Sequence, residues 1–264
     1  DAYLNSDVKK NDPKWIEVIK VALAAGDLPY EVDNHLNWIT HLPGRPQHCG
    51  KDEVSICFAH SRNCYPSSTR DLTRMYLEGR EQVDFISRFI QKYIPGFEDS
   101  YLSYSAPLLG VRESRRIVGE YVLTAEDIAH LRKFDDVVTI SMHGYDVHNF
   151  DGPGNIKWAP IKIDGKLQYV ICHSGGFGTT TPPPGGAPVV NIKGQNALEA
   201  VFEVSHYDIP WRCLIPIRIE NLLAAGRNIS TDVYAQSGTR LIMACFTMGE
   251  VAGTAAAMSI ANDI

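Results

Sequence analysis

Little in this chain marks it for nucleic acid, for a disulfide scaffold or for a simple membrane span. Its formal net charge is −6 and its lysines and arginines form no basic cluster, which argues against a nucleic-acid footprint. Six cysteines, at positions 49, 57, 64, 172, 213 and 245, are too few and too scattered for a disulfide framework. Two of them lie inside apolar segments and read as buried thiols, so cysteine usage favours a reduced, cytoplasmic interior. One run, 241–261, is apolar enough to raise the question of a membrane. Glu250 and its many glycines and alanines make it a buried helix instead, and no membrane span is expected. There is no internal repeat and no compact metal-ligand motif, so no metal site is expected either.

What is present fits a globular protein. Hydrophobic residues make up 44% and charged residues 21% of 264 positions, enough to bury one sizeable core or one domain with a substantial cap. Along 12–25, apolar residues from Trp15 to Leu23 follow Asp12 and Pro13, a helix start signal, and Gly26 stops it. Loops with short strands are expected over 28–64, Val54–Phe58 being the best strand. The clearest helix spans Ser67–Ile94: Ser68 or Thr69 can cap it, and Leu72, Met75, Val83, Ile86, Phe89 and Ile90 recur at helical spacing. Tyr101–Ala106 and Ile117–Val122 read as strands flanking an arginine-rich turn. A short helix is expected over Ala125–Phe134 with Thr124 as its cap, and a strand over Val137–Met142. Asp164-Gly165 predicts a hairpin between Ile161–Ile163 and Leu167–Val170, and 179–188 a proline-rich loop. Strands dominate the middle and helices bracket it, which is an α+β pattern.

Two segments carry candidate chemistry. Gly110–Arg116 (GVRESRR) packs three arginines and a glutamate together, a set suited to bidentate contact with a carboxylate or with hydroxyls. Arg112 is the candidate for the site and Arg116 for a structural role; the competing reading is an ion-pair network in which Glu113 neutralises one of the arginines. Met142–Asn149 (MHGYDVHN) gathers His143, Tyr145, Asp146 and His148 behind a strand, a proton-handling group. Helical metal-ligand spacing does not apply to it.

A third stretch, Glu220–Asn262 (ENLLAAGRNISTDVYAQSGTRLIMACFTMGEVAGTAAAMSIAN), reads as a short strand Leu222–Ala225 broken by Gly226. A turn and a long helix of small residues follow, with Gly238, Gly249 and Gly253 along it. With Tyr207–Leu214 (YDIPWRCL) and Pro95–Asp127 (PGFEDSYLSYSAPLLGVRESRRIVGEYVLTAED), it resembles the FAD-dependent oxidoreductase family related to the fumarate reductase and succinate dehydrogenase flavoproteins. The likeness loosely covers about two thirds of the chain. It implies FAD as cofactor, contacted by Ala225, Gly226, Arg227, Asn228 and Ser230 on the turn. Gly238, Thr239, Arg240 and Met243 would add contacts at a helix start, whose free N–H groups suit an electron-rich flavin edge. Arg240 is expected to face the flavin or to pair with Glu250. Gly249 and Gly253 are expected to serve close helix packing.

The family's G-x-G-x-x-G fingerprint is not found in these 264 residues. The resemblance therefore implies a truncated or split chain, in which a second chain or another segment supplies the dinucleotide fold. On that basis 1–206 would be a substrate or cap domain and 207–264 the last part of a FAD-binding domain. The expected activity is hydride transfer between flavin and a small polar or anionic organic substrate, through Arg112, His143, Tyr145 and His148. Two competing readings are a cap-like binding subunit that holds no flavin alone, and, ranked last, a metal-dependent hydrolase built on His143, Asp146 and His148.

Overall fold

The computed structural model describes residues 13–29, 39–41, 54–56, 59–148, 157–173, 184–186 and 206–262. The chain forms two compact units, the first from 1–110, 148–157 and 173–181, the second from 111–147, 158–172 and 182–264.

The first unit is organised by two helices, α1 (Pro13–Ala24) and α2 (Thr69–Tyr93), beside an antiparallel pair of short strands, β1 (Ile39–His41) and β2 (Ser55–Ile56). Helix α1 ends where Gly26 takes a φ of 76°, open to glycine at little cost. The Asp12 cap lies outside the described residues. Helix α2 begins on the Ser68 hydroxyl, which accepts from the Asp71 amide at 3.4 Å, and ends against Pro95. Its sequence is rich in charge, yet Phe85, Ile86, Phe89 and Ile90 fall on one face and pack with Ile19, Ala22 and Leu28. Gln82, buried on that helix, donates to His60 O (3.0 Å) and accepts from His60 N (2.8 Å), which satisfies both ends of its amide.

In the second unit, β3 (Val137–Ser141) pairs antiparallel with β7 (Tyr207–Pro210), and β4 (Val147–His148), β6 (Lys166–His173) and β5 (Lys157–Ile163) form a three-stranded sheet in that order. The expected hairpin is present and longer than predicted; Asp164 and Gly165, at φ of 51° and 70°, make its turn. Helix α3 (Ala125–Ala129) is shorter than predicted, because Leu131 turns left-handed at φ 51°. Its capping box joins Thr124 to Asp127, whose buried carboxylate also accepts from Tyr121 Oη (2.9 Å) and Arg132 Nη1 (2.6 Å). The core gathers Leu123, Ile128, Tyr207, Ile209, Leu214 and Ile229.

Several local expectations are corrected. Tyr101–Ala106 and Ile117–Val122 form no ladder, the second making only one isolated antiparallel bridge, Gly119 to Pro216. Backbone groups of the second segment bond to carbonyls outside any strand instead: Ile117 N to Asn228 O (2.9 Å), Glu120 N to Ile215 O (3.0 Å) and Tyr121 N to Arg212 O (3.2 Å). Leu222–Ala225 is likewise irregular, tied to Leu214 O through Ala224 N (2.9 Å). The long terminal helix is two helices, α4 (Val233–Thr239) and α5 (Ile242–Asn262). The break follows Thr239, whose buried hydroxyl bonds back to Gln236 O (3.4 Å), a contact that bends helices. Gly238 and Thr239 therefore close a helix rather than open one. Gly249 and Gly253 meet nothing within 4 Å of where a Cβ would stand, so they do not mediate packing among the described residues. Mixed helices with small antiparallel sheets agree with the α+β expectation. The loop expected at 179–188 lies outside the described residues except for 184–186.

Candidate functional site

The site is built around α4, a helix too short to persist alone and held by its neighbours. Asp232 caps it: Oδ1 accepts from Ala235 N and Oδ2 from Ala125 N, both at 2.7 Å, so one carboxylate ties the starts of α3 and α4 together. Gln236, almost fully buried, donates from Nε2 to Arg112 O (3.0 Å) and fixes the arginine-rich segment. Ser237 Oγ accepts from Asp146 N (3.0 Å) and fixes the segment after β3. Between them, Gly238 lets that segment press on the helix. A Cβ there would stand 2.7 Å from Tyr207 Oη, 2.8 Å from His143 O and 3.0 Å from Gly144 O. Tyr207 Oη in turn donates to His143 O (3.0 Å), and Ser141 Oγ to Gly238 O (3.3 Å).

These contacts bring Arg112, Asp146 and Arg240 together. Asp146 Oδ2 accepts from Arg112 Nη2 and from Arg240 Nη2 (2.8 Å), and Arg240 Nη2 also reaches Asp146 O (2.9 Å). Arg240 caps the C-terminal end of α4, where a cation is favoured, and its Nε bonds to Ser237 O at 3.3 Å. Its side chain is only 9% exposed, and that of Arg112 is 38% exposed. Burial, then the Arg112 charge, lowers the Arg240 pKa to about 10; the charges of Asp146 and Glu113 oppose this and Arg227 adds to it. Arg116 pairs with Glu113 at 3.5 Å, which places Glu113 against that one of the three arginines. Among the described residues, Arg112 and Arg240 share the carboxylate of Asp146, an arrangement that suits an anion. Arg240 pairs with Asp146, and Glu250 lies exposed on α5.

The other predicted residues divide clearly. His143 is half-buried, and its Nδ1 lies 2.9 Å from Gly144 O, which can only accept. The neutral ring therefore carries its proton on Nδ1 and a lone pair on Nε2. Tyr145 packs in the core: it is 6% exposed, its hydroxyl donates to Ala125 O, and burial pushes its pKa upward. The side chain of His148 lies outside the description. On the turn, Gly226 takes a φ of 95° with only Cys245 Sγ near a would-be Cβ, at 4.0 Å. Ala225 is half-buried beside it, Asn228 is exposed, and exposed Arg227 donates to Val111 O. Ser230 is buried against Gly119, whose added Cβ would stand 2.8 Å from Ser230 Cβ. Thr239 is buried, its hydroxyl bonded within α4, and Met243 is exposed on α5.

Sequence reading missed the organising parts. Asp146 reads in sequence as one member of a proton-handling group and not as the link between two arginines, while Gln236, Ser237 and Gly119 carry no motif. Their partners lie 91 to 124 residues away for the bonds from Asp146, Arg240 and Gln236, so no local spacing could expose them. Asp232 alone left a signal, a capping residue before a helix.

The family model described as FAD dependent oxidoreductase matches residues 9–264. No curated protein and no solved structure matches the chain. The turn fits a large oxygen-rich cofactor of that kind. Ser230 Oγ and Thr231 Oγ1, adjacent and buried, have no hydrogen-bond partner among the described residues. A buried hydroxyl left unpaired costs about 1–3 kcal/mol, and the turn before it carries Gly226 and two exposed polar side chains, Arg227 and Asn228.

Proposed function

This chain belongs to the FAD-dependent oxidoreductase family, and we propose that it is the substrate-handling part of such an enzyme, working on a small polar or anionic organic molecule. One observation carries the reading: α4 gathers Arg112, Asp146 and Arg240 into a single arginine-rich seat, with the His143 backbone packed on the same helix at Gly238. FAD, when bound, supplies the ring that exchanges a hydride with substrate carbon. Arg112, the more open guanidinium, binds and orients an anionic group of the substrate. Arg240, buried behind it, contributes fixed positive charge in a site of low dielectric. The His143 Nε2 lone pair takes the proton that accompanies oxidation and returns it in the reverse direction. Ala225–Asn228 and Ser230 hold the cofactor at the turn, and Met243 lies on the cofactor side of α5.

In this reading 207–264 is the cofactor-facing portion and 1–206 the substrate or cap portion. A second chain or another segment carrying the dinucleotide fold completes the enzyme, related to the fumarate reductase and succinate dehydrogenase flavoproteins. The apolar face of α5, open among the described residues, supports that completion. It equally supports the second reading, a cap-like binding subunit that holds no flavin alone.

The test is to purify the chain with whatever co-purifies, add FAD, and follow the flavin spectrum during addition of hydroxy acids, amino acids and sugar acids. An oxidised flavin that bleaches with one class supports the enzyme. In that preparation Arg112→Met should raise KM at least about tenfold, and His143→Asn should lower kcat about 10²-fold or more. A loaded flavin whose bleaching is indifferent to both substitutions overturns the assignment of the seat. A preparation that takes up no FAD in any combination leaves the binding-subunit reading.

A further inference from the structure

We propose that Glu126, His130 and Asp164 form a site for a divalent transition-metal ion, separate from the arginine seat. Glu126 lies in the first turn of α3 and His130 at its C-cap, four residues on, so their side chains share one helix face. Asp164 comes from another element, the tip of the β5–β6 hairpin, where its left-handed backbone turns the chain. One ligand atom from each residue lies within 4.8 Å of the other two. Three ligands around one tetrahedral ion with bonds of about 2.1 Å stand roughly 3.4 Å apart. The His130 Nε2 to Asp164 Oδ1 separation is already 3.1 Å, so small side-chain rotations close the rest.

The donor set chooses the ion. An imidazole nitrogen with two carboxylates suits Zn2+, Co2+ or Ni2+, whereas Ca2+ takes six to eight oxygens and Mg2+ keeps its waters. Charge agrees: two carboxylates face one imidazole, so a dication neutralises the cluster. Asp164 N donates to Glu126 Oε1 at 2.9 Å, which orients that carboxylate and leaves Oε2 for the ion. The scaffold is pre-set, because the Thr124–Asp127 capping box and the Asp232 bond to Ala125 N fix α3 before any metal arrives. The side chains of His130 and Asp164 are 48% and 67% exposed, so water completes the coordination. Such an ion clips the hairpin to α3.

Isothermal titration of the full chain with Zn2+, repeated with Mg2+, tests this beside His130→Ala and Asp164→Asn. The replaced side chains are 48% and 67% exposed, and asparagine tolerates the left-handed turn, so the variants keep the fold. The expected result is one Zn2+ equivalent of roughly micromolar affinity in the wild type, absent or at least about tenfold weaker in both variants, with Mg2+ not competing. Zn2+ should also raise the thermal midpoint of the wild type more than that of either variant. Equal stoichiometry and affinity in all three proteins overturns the site, as does loss in only one variant, since the proposal needs both ligands.

Discussion

Helices α2 and α5 invert the usual relation between composition and burial. Helix α2 is studded with arginine, aspartate and glutamate, yet Phe85, Ile86, Phe89 and Ile90 are enclosed by α1 and the residues after it. Helix α5 is apolar nearly throughout and, by length and composition, is the one described helix able to cross a membrane, but it buries only Ala244 and Met248. Ile242, Met243, Phe246, Met258 and Ile260 all stand exposed on it. Pattern explains the contrast: α2 concentrates its apolar residues on one stripe that a neighbour can cover, whereas α5 spreads them around the whole cylinder. A helix apolar on every side needs cover on every side, and the described residues supply it on one.

The largest expected effect tests that contrast directly. Phe89→Ala should destabilise the protein by about 3–5 kcal/mol, while Phe246→Ala, at a side chain 71% exposed, should change stability by less than about 0.5 kcal/mol. Urea denaturation of both variants measures it, and equal losses would mean that α5 is covered in solution. Next comes the seat on α4. Asp146→Asn leaves Arg240 buried with a neutral partner and should cost about 1.5–3 kcal/mol, against about 0–1 kcal/mol for Glu113→Gln, whose ion pair is more open. Gly238→Ala, which drives a methyl into two backbone carbonyls, should cost about 1–3 kcal/mol.

The smallest effect is a pH dependence. Burial raises the Cys213 pKa from 9.0 to about 12. Above pH 9 the unfolded chain loses that proton while the folded chain keeps it, so stability falls with rising pH through this window. Cys213→Ala should flatten the fall. Urea midpoints at about pH 8 and about pH 10 for both proteins show it, and identical slopes would contradict a buried neutral thiol.

How much could be read from residues alone followed the range of the forces involved. Helices α1 and α2 and the Asp164-Gly165 hairpin were legible, because periodicity, caps and turn residues act over a few positions. The segment 117–122 looked like a strand because its side chains suit one; its backbone partners proved to be carbonyls outside any strand, which leave no mark in sequence. Tyr145 looked chemical beside two histidines, and only the nearness of Ala125 O shows it to be core. Arg112 and Arg240 were both legible as candidates. What joined them, Asp146, was set by tertiary contact.

Asp232 has a consequence for how the protein comes to be folded. Its two oxygens accept from amides three and 107 residues away from it in the chain. Seven residues of helix do not survive the cost of nucleation unaided, so α4 must wait for a loop of that length to close and for α3 to be in place. Loop entropy grows only logarithmically with length, but it is charged before the reward arrives. The seat that would handle substrate is therefore among the last parts to form, and substitutions at Asp232 should speed unfolding far more than they slow folding.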